Sequence, residues 1–241
     1  MLKLQDFRDL HKDEDIFVLG SGPSLHFLNP NVIKGRPVIC VNGSVMKFHK
    51  QADYYFTSDG GTVDLHHWEF VKNGQMAIIL GKAGVGNAVK DRGELPNQNR
   101  IFYFEKDYEL VLKPEAEALT FGISSPHCAV HFAHILGAKR IIIVGCDCCK
   151  SSDGKYYYWQ YDGEEKDYWL RKMYYYDPEN DPCGDYTAKD YMKKSAPSGN
   201  SDGNLHSGLN HWKLLKEHNP NLKIEVMGGE LEKLFPKYQG D

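Results

Sequence analysis

The chain has 241 residues, with 29 Lys and Arg against 33 Asp and Glu, a formal charge of −4. That length suits one medium domain with a sizeable core, and the slightly acidic balance offers no basic footprint for nucleic acid. No run approaches the roughly 18 apolar residues of a membrane span; the charged start MLKLQDFRDLHKDEDI also lacks a signal-peptide core, so a cytoplasmic location is expected.

The first apolar run, Ile16 to Leu19, reads as a buried strand. Gly20, Ser21, Gly22 and Pro23 end it, and Ser24 is placed to cap a following helix. The glycines would allow a ligand phosphate to approach the backbone, but position 25 is Leu where a dinucleotide fingerprint needs a third Gly. A strand-ending turn is the competing reading. Further strands are expected at Val38 to Val41, Tyr54 to Thr57, 76–80 and, more briefly, 99–105. Between the last two, GKAGVGNAVK lacks the spacing of a Walker loop and reads as a loop.

The stretch 122–147, GISSPHCAVHFAHILGAKRIIIVGCD, is the clearest unit. Ser125 is expected to cap a helix with Pro126 first inside it, Ala129, Phe132, Ala133 and Leu136 form its apolar stripe, and Gly137 stops it. Arg140 to Val144 then forms a buried strand, giving half of a β-α-β crossover. Of the six cysteines, Cys146, Cys148 and Cys149 cluster in GCDCCK, while Cys40, Cys128 and Cys183 stand alone. Without paired C-x-x-C spacing these read as free thiols rather than disulfides or a zinc site.

Composition shifts after Lys150. Ten of the fifteen tyrosines fall between 156 and 191, in a stretch with little periodicity. A long irregular segment rich in aromatics is expected to be a lid over a ligand, spanning about 150–200; a homo-oligomer contact is the alternative. Leu205, Leu209, Trp212 and Leu215 mark a helix over 205–217, 222–227 a last strand, and GELEKLF a short closing helix. The expectation is one nucleotide-binding α/β domain, 1–241, Rossmann-like, with a mostly parallel sheet and helices on both faces.

In such sheets ligands sit beyond the carboxyl ends of the strands. The loop 20–24, Asn42, Asp59 and Asp147 all fall there; Asn can read a base or ribose, and Asp can hold a ribose or a metal. His206 opens the late helix, where the dipole favours a neutral imidazole able to accept a proton, an exposed His being the alternative. His211 lies five residues on, off any shared zinc-binding face, and His66 and His67 read as decoration of a surface helix.

The motifs VLGSGPSL, CVNGS, HILGAKRIIIVGCD and NLHSGLNHWKLL, in that order, resemble the bacterial sialyltransferases of glycosyltransferase family 42. They equally resemble bacterial and phage proteins related to 6-hydroxymethylpterin diphosphokinase. The first resemblance implies transfer from a nucleotide-activated sugar, a CMP-sugar foremost, to a glycan acceptor without a required metal. It places the nucleotide on Gly20, Ser21, Gly22, Pro23, Ser24 and Asn42, with Thr120 and Gly122 matching a donor-binding segment. His206 becomes the general base, and lid tyrosines among Tyr156, Tyr157 and Tyr158 hydrogen-bond the leaving phosphate. This chain departs from that pattern at Cys148 and Cys149, where the family has an aromatic, and at Phe121, where it has Ser. The second resemblance implies magnesium-dependent pyrophosphoryl transfer, with Asp59 and Asp147 as the carboxylates. A nucleotide-binding protein without catalysis is the third reading.

Overall fold

The computed structural model describes residues 3–58, 67, 70, 71, 74–81, 100–120, 124–155, 157–161 and 202–240, with 202–207 described by their backbone. The described residues form nine strands: β1 Asp15–Leu19, β2 Val38–Val41, β3 Tyr54–Thr57, β4 Ala77–Gly81, β5 Ile101–Phe104, β6 Lys106–Asp107, β7 Leu119–Thr120, β8 Arg140–Val144 and β9 Ile224–Met227. Seven form one parallel sheet in the order β5-β4-β3-β2-β1-β8-β9, and β6 pairs with β7. The expected α/β, Rossmann-like architecture is therefore present. The main helices are α1 Val45–Phe48, α2 Ser125–Ile135 and α3 Asp202–His218.

Continuous apolar strands with no polar alternation are what a sheet covered on both faces requires. Successive side chains point to opposite faces, so Ile16 and Val18 join one cluster with α2 and Trp212, while Phe17 and Leu19 join the other with Leu25, Phe48 and Trp159. The β1–β8 pair is fixed at its amino end by charge. Arg140 Nε donates to Asp15 Oδ1 at 2.9 Å, and these two residues are register partners. At the β9 edge the chain doubles back: Val226 N–H donates to Pro236 O at 3.0 Å and Tyr238 N–H donates to Val226 O at 2.9 Å. No described helix is long and apolar enough to cross a membrane.

Local chemistry moves several expected boundaries. Ser24 does not cap an α-helix. A 3-10 turn runs Pro23–Phe27 with Gly22 at its N-cap, and the Ser24 hydroxyl is taken by Gly145. The N-cap position of α2 is Ser124, not Ser125, and its hydroxyl bonds His127 Nδ1 at 2.7 Å. Helix α3 begins three residues before the expected start, so His206 is its fifth residue, beyond the first turn to which a helix dipole is largely confined. The closing helix is a 3-10 turn, Glu230–Lys233. His67 is buried rather than decorative, because its Nδ1 pairs with Tyr55 Oη at 3.0 Å. Most of the expected lid lies outside the described residues, which resume after Tyr161 only at α3.

Helix α2 also buries two histidines that its apolar stripe did not include. His131 Nδ1 accepts from Thr120 N–H and its Nε2 faces Lys113 O, both at 2.9 Å, so the ring is neutral with the proton on Nε2. His127 stacks on Trp212 with centroids 4.1 Å apart. Burial pushes His127 down to about 3, helped by nearby His211, and His131 down to about 4. The unfolded chain protonates these rings first, so stability is full above their ordinary pKa of about 6.5 and is lost as pH falls below it. Urea unfolding between pH 6.5 and 4 is expected to show a loss of up to about 1.4 kcal/mol per pH unit for each ring. His131→Gln is expected to remove one such share of the slope.

Candidate functional site

Strand order reverses at β1: the chain runs outward to β5, then returns to place β8 on the other side of β1. The carboxyl ends of β1 and β8 thus flank the switch point where open α/β sheets bind ligands. Gly20–Ser24, Asn42–Ser44, Ser58 and Gly145–Asp147 all lie along this edge.

The loops after β1 and β8 are closed on each other. Gly20 N–H donates to Val144 O and Gly22 N–H to Gly145 O, each at 2.7 Å. A Cβ on Gly20 would lie 2.4 Å from Gly145 O, and one on Gly145, whose φ is +74°, would lie 2.4 Å from Gly20 O. Ser24 completes the clasp: its Oγ accepts from Gly145 N–H at 2.9 Å and its own N–H donates to Asp147 Oδ2 at 3.0 Å. A third loop joins here, since Glu230 N–H donates to Asp147 O at 2.8 Å and a Cβ on Gly229 would sit 2.4 Å from Asp147 Cα. Burial raises the Asp147 carboxyl above its ordinary range, and the Ser24 hydrogen bonds pull the other way.

The next layer is built from β2 and from the turn Tyr158–Tyr161. Ser44 Oγ donates to Leu19 O at 2.7 Å, tying the turn after β2 to the end of β1. Asn42 holds a left-handed backbone, φ +52°, which is uncommon for a residue with a Cβ. Tyr158 N–H donates to Ser21 O at 3.1 Å and Tyr158 Oη to Gly43 O at 3.0 Å. Trp159, 1% exposed, stacks on Tyr157 with centroids 4.2 Å apart. Among the described residues, Ser21 Oγ, Asn42 Oδ1 and Trp159 Nε1 are buried and find no hydrogen-bond partner. Around Gly43 the packing is close: a Cβ there would meet Ser21 Oγ at 3.2 Å and, at 3.1 Å, Trp159 Cζ3, on the ring edge away from Nε1.

Farther along the edge, Ser58 N–H donates to Ser125 Oγ at 3.1 Å and the two hydroxyls are 2.6 Å apart, joining β3 to the start of α2. Thr120 is buried and its N–H is held by His131. Helix α3 abuts the loop after β8, where a Cβ on Gly208 would lie 3.5 Å from Cys148 Sγ. The Trp212 side chain hydrogen-bonds Cys148, whose thiol burial pushes up to about 12. Burial also raises the Cys146 and Cys149 thiols, so all three remain protonated near neutral pH. Of the residues singled out in the sequence, Gly20, Ser21, Gly22, Pro23, Ser24, Asn42, Asp147 and Tyr158 are brought to the switch point. Asp59, Gly122 and Tyr156 lie outside the described residues, and His206 is placed by its backbone, two positions before Gly208.

A family model described as 6-hydroxymethylpterin diphosphokinase MptE-like matches residues 1–153. The chain belongs to this MptE-like family. No curated protein matches it. Of the two resemblances drawn from the sequence, the match supports the diphosphokinase-related one. The MptE-like segment contains β1–β8 and the whole β1–β8 clasp, whereas the Tyr158–Tyr161 turn, α3 and β9 come after it. Among the described residues no group of three or more His, Cys, Asp or Glu could hold a metal ion. Asp147, the described carboxylate at this edge, is buried with its Oδ2 taken by Ser24. These residues do not build a magnesium site by themselves.

Trp159, Ser44 and the Ser58–Ser125 pair escaped sequence reasoning. The aromatic run around 156–161 flagged Trp159's neighbourhood without separating it from the tyrosines. Three outcomes follow for this MptE-like clasp. Gly145→Ala is expected to cost more than about 3 kcal/mol, from overpacking and a left-handed backbone together, and to appear as loss of soluble folded protein. Asp147→Ala, which strands the Ser24 N–H, is expected to cost about 2–4 kcal/mol in urea unfolding at pH 7. Asp147→Asn keeps the acceptor without a buried charge and is expected to cost less than half of that.

Proposed function

We propose that this chain is a nucleotide-dependent transferase of the diphosphokinase type, moving a pyrophosphoryl group from ATP to a hydroxymethyl group on a heterocyclic acceptor. The observation that carries this reading is the set of unpartnered polar atoms at the switch point, within a chain of the MptE-like family. Buried polar groups are nearly always hydrogen-bonded, so Ser21 Oγ and Asn42 Oδ1, left open on the loops after β1 and β2, support a ligand at this edge.

In the proposed step the acceptor hydroxyl oxygen attacks the β-phosphorus of ATP. The bond from that phosphorus to the α-phosphate oxygen breaks, AMP leaves, and the hydroxyl proton passes to a base. His206 is the proposed base. Supporting this, α3 packs beside the loop after β8, which brings the helix turn bearing His206 toward the carboxyl edge. Ser21 and Asn42 would face the nucleotide, and Tyr158 would hold the turn that closes over it. Glycosyl transfer from a CMP-sugar to a glycan acceptor, as the sialyltransferase resemblance implies, would use the same base and is the competing outcome.

Thermal unfolding with CMP, UDP, GDP and ATP, each with and without magnesium, separates the two. A ligand at 100 times its Kd adds about 2.7 kcal/mol to the native state. ATP is expected to raise Tm; stabilisation by CMP alone without metal would overturn the diphosphokinase reading in favour of glycosyl transfer. His206→Ala is expected to lower turnover about 10²–10⁴-fold while leaving ATP stabilisation intact. Full activity in that variant would remove His206 from the mechanism.

A further inference from the structure

We infer that a cleft at the amino edge of the sheet, opposite the switch point, is a second binding site that takes a nucleoside monophosphate. This site is separate from the one proposed for ATP and stands whether or not that reading holds.

The cleft has a volume of about 780 Å³, within the range of small-molecule sites. It opens between the turn that leads from α1 into β3 and the segment that leads into β4, with His49, Asp53, Phe70 and Gln75 among its lining. Both walls are held by backbone groups. Asp53 N–H donates to Val38 O at 3.0 Å, Asp53 Oδ2 accepts from Val38 N–H at 2.9 Å, and Asp53 O accepts from Ala77 N–H at 2.8 Å. On the other wall the Arg100 guanidinium donates to Met76 O at 2.9 Å and also to Gly74 O. These bonds fix the spacing between the two walls.

The lining matches the parts of a mononucleotide. Phe70 supplies an aromatic ring, packed on the His49 ring with centroids 5.1 Å apart, and aromatic side chains stack on any base. His49 Nδ1 is buried and finds no partner among the described residues, an unmet hydrogen bond that packed interiors rarely keep. Gln51 on one wall and Gln75 on the other carry carboxamides. Each sets a donor beside an acceptor, the pattern that a base edge presents in return. Asp53 keeps lone pairs beyond the one given to Val38, and ribose hydroxyls can fill them. Lys50 is exposed and offers an ammonium to a phosphate. Among the described lining residues one lysine stands against one aspartate, a balance that suits a single phosphate and disfavours a triphosphate chain.

The test titrates the full chain with AMP, GMP, CMP and UMP by calorimetry, together with the matching nucleosides. At least one monophosphate is expected to bind with a Kd below about 1 mM. Lys50→Met is expected to weaken that monophosphate about tenfold while leaving its nucleoside unchanged. Gln75→Ala is expected to weaken nucleotide and nucleoside alike, about fivefold. Both residues are exposed, so neither change threatens the fold. Stabilisation by ATP is expected to be the same in both variants as in the wild type, because that site lies at the other edge of the sheet. No binding by any monophosphate, or binding that both substitutions leave unchanged, overturns the second site and leaves the ATP reading untouched.

Discussion

The close approach of two backbones, at Gly20 and Gly145, is the constraint on which the rest of this edge depends. Strands β1 and β8 are distant in sequence yet adjacent in the sheet, and their ends meet at a separation that forbids a Cβ on either side. The pair is pinned at its other end by Asp15 and Arg140, so strand register and loop position are set together. Once the clasp closes, Ser24 and Asp147 can reach each other, and Asp147 O can in turn receive the loop after β9 through Glu230. Every other feature of the switch point is hung on this frame.

The frame also fixes which polar groups stay unpaired at this edge. In the loops, the amides of Gly20, Gly22, Ser24 and Gly145 are held within the clasp. Among the described residues, Ser21 Oγ on the first loop, Asn42 Oδ1 on the second and Trp159 Nε1 on the following turn are buried without a partner. Asn42 keeps its left-handed conformation because its neighbours over-determine it: Ser44 fastens the turn to Leu19 O, and Gly43 O is held by Tyr158. Rigidity of this kind lets a few unsatisfied atoms persist inside a packed edge.

The strands were legible in the sequence because a doubly covered parallel sheet leaves uninterrupted runs such as IFVL, VICV and RIIIV, with little else to compete for them. The switch point was legible too, since it follows from the strands. Roles were harder. A G-x-G spacing announces that something approaches the backbone, and in the structure the loop after β8 does so. Ser24 and Ser125 read as helix caps because their spacing is right, yet both hydroxyls serve long-range partners, Gly145 and Ser58. His67, His127 and His131 were invisible as core residues because a neutral histidine acquires its place only when a tyrosine, serine or backbone partner meets it. Trp159 was hidden among tyrosines of similar composition, and only its unpartnered N–H sets it apart.

The doubling back of the chain over β9 has a consequence for assembly. An outer strand of a parallel sheet offers a row of open amides and carbonyls on which another molecule could add a strand, the usual route to runaway association. Pairing of Val226 with Lys237, and of its N–H and C=O with Pro236 and Tyr238, occupies that row with the protein's own backbone. A second copy meeting this flank finds the returning 236–238 segment, anchored by the buried Tyr238 ring beside the Arg140 guanidinium, instead of an extendable ladder. The same few residues that end the described chain thus serve as its guard against polymerising through β9.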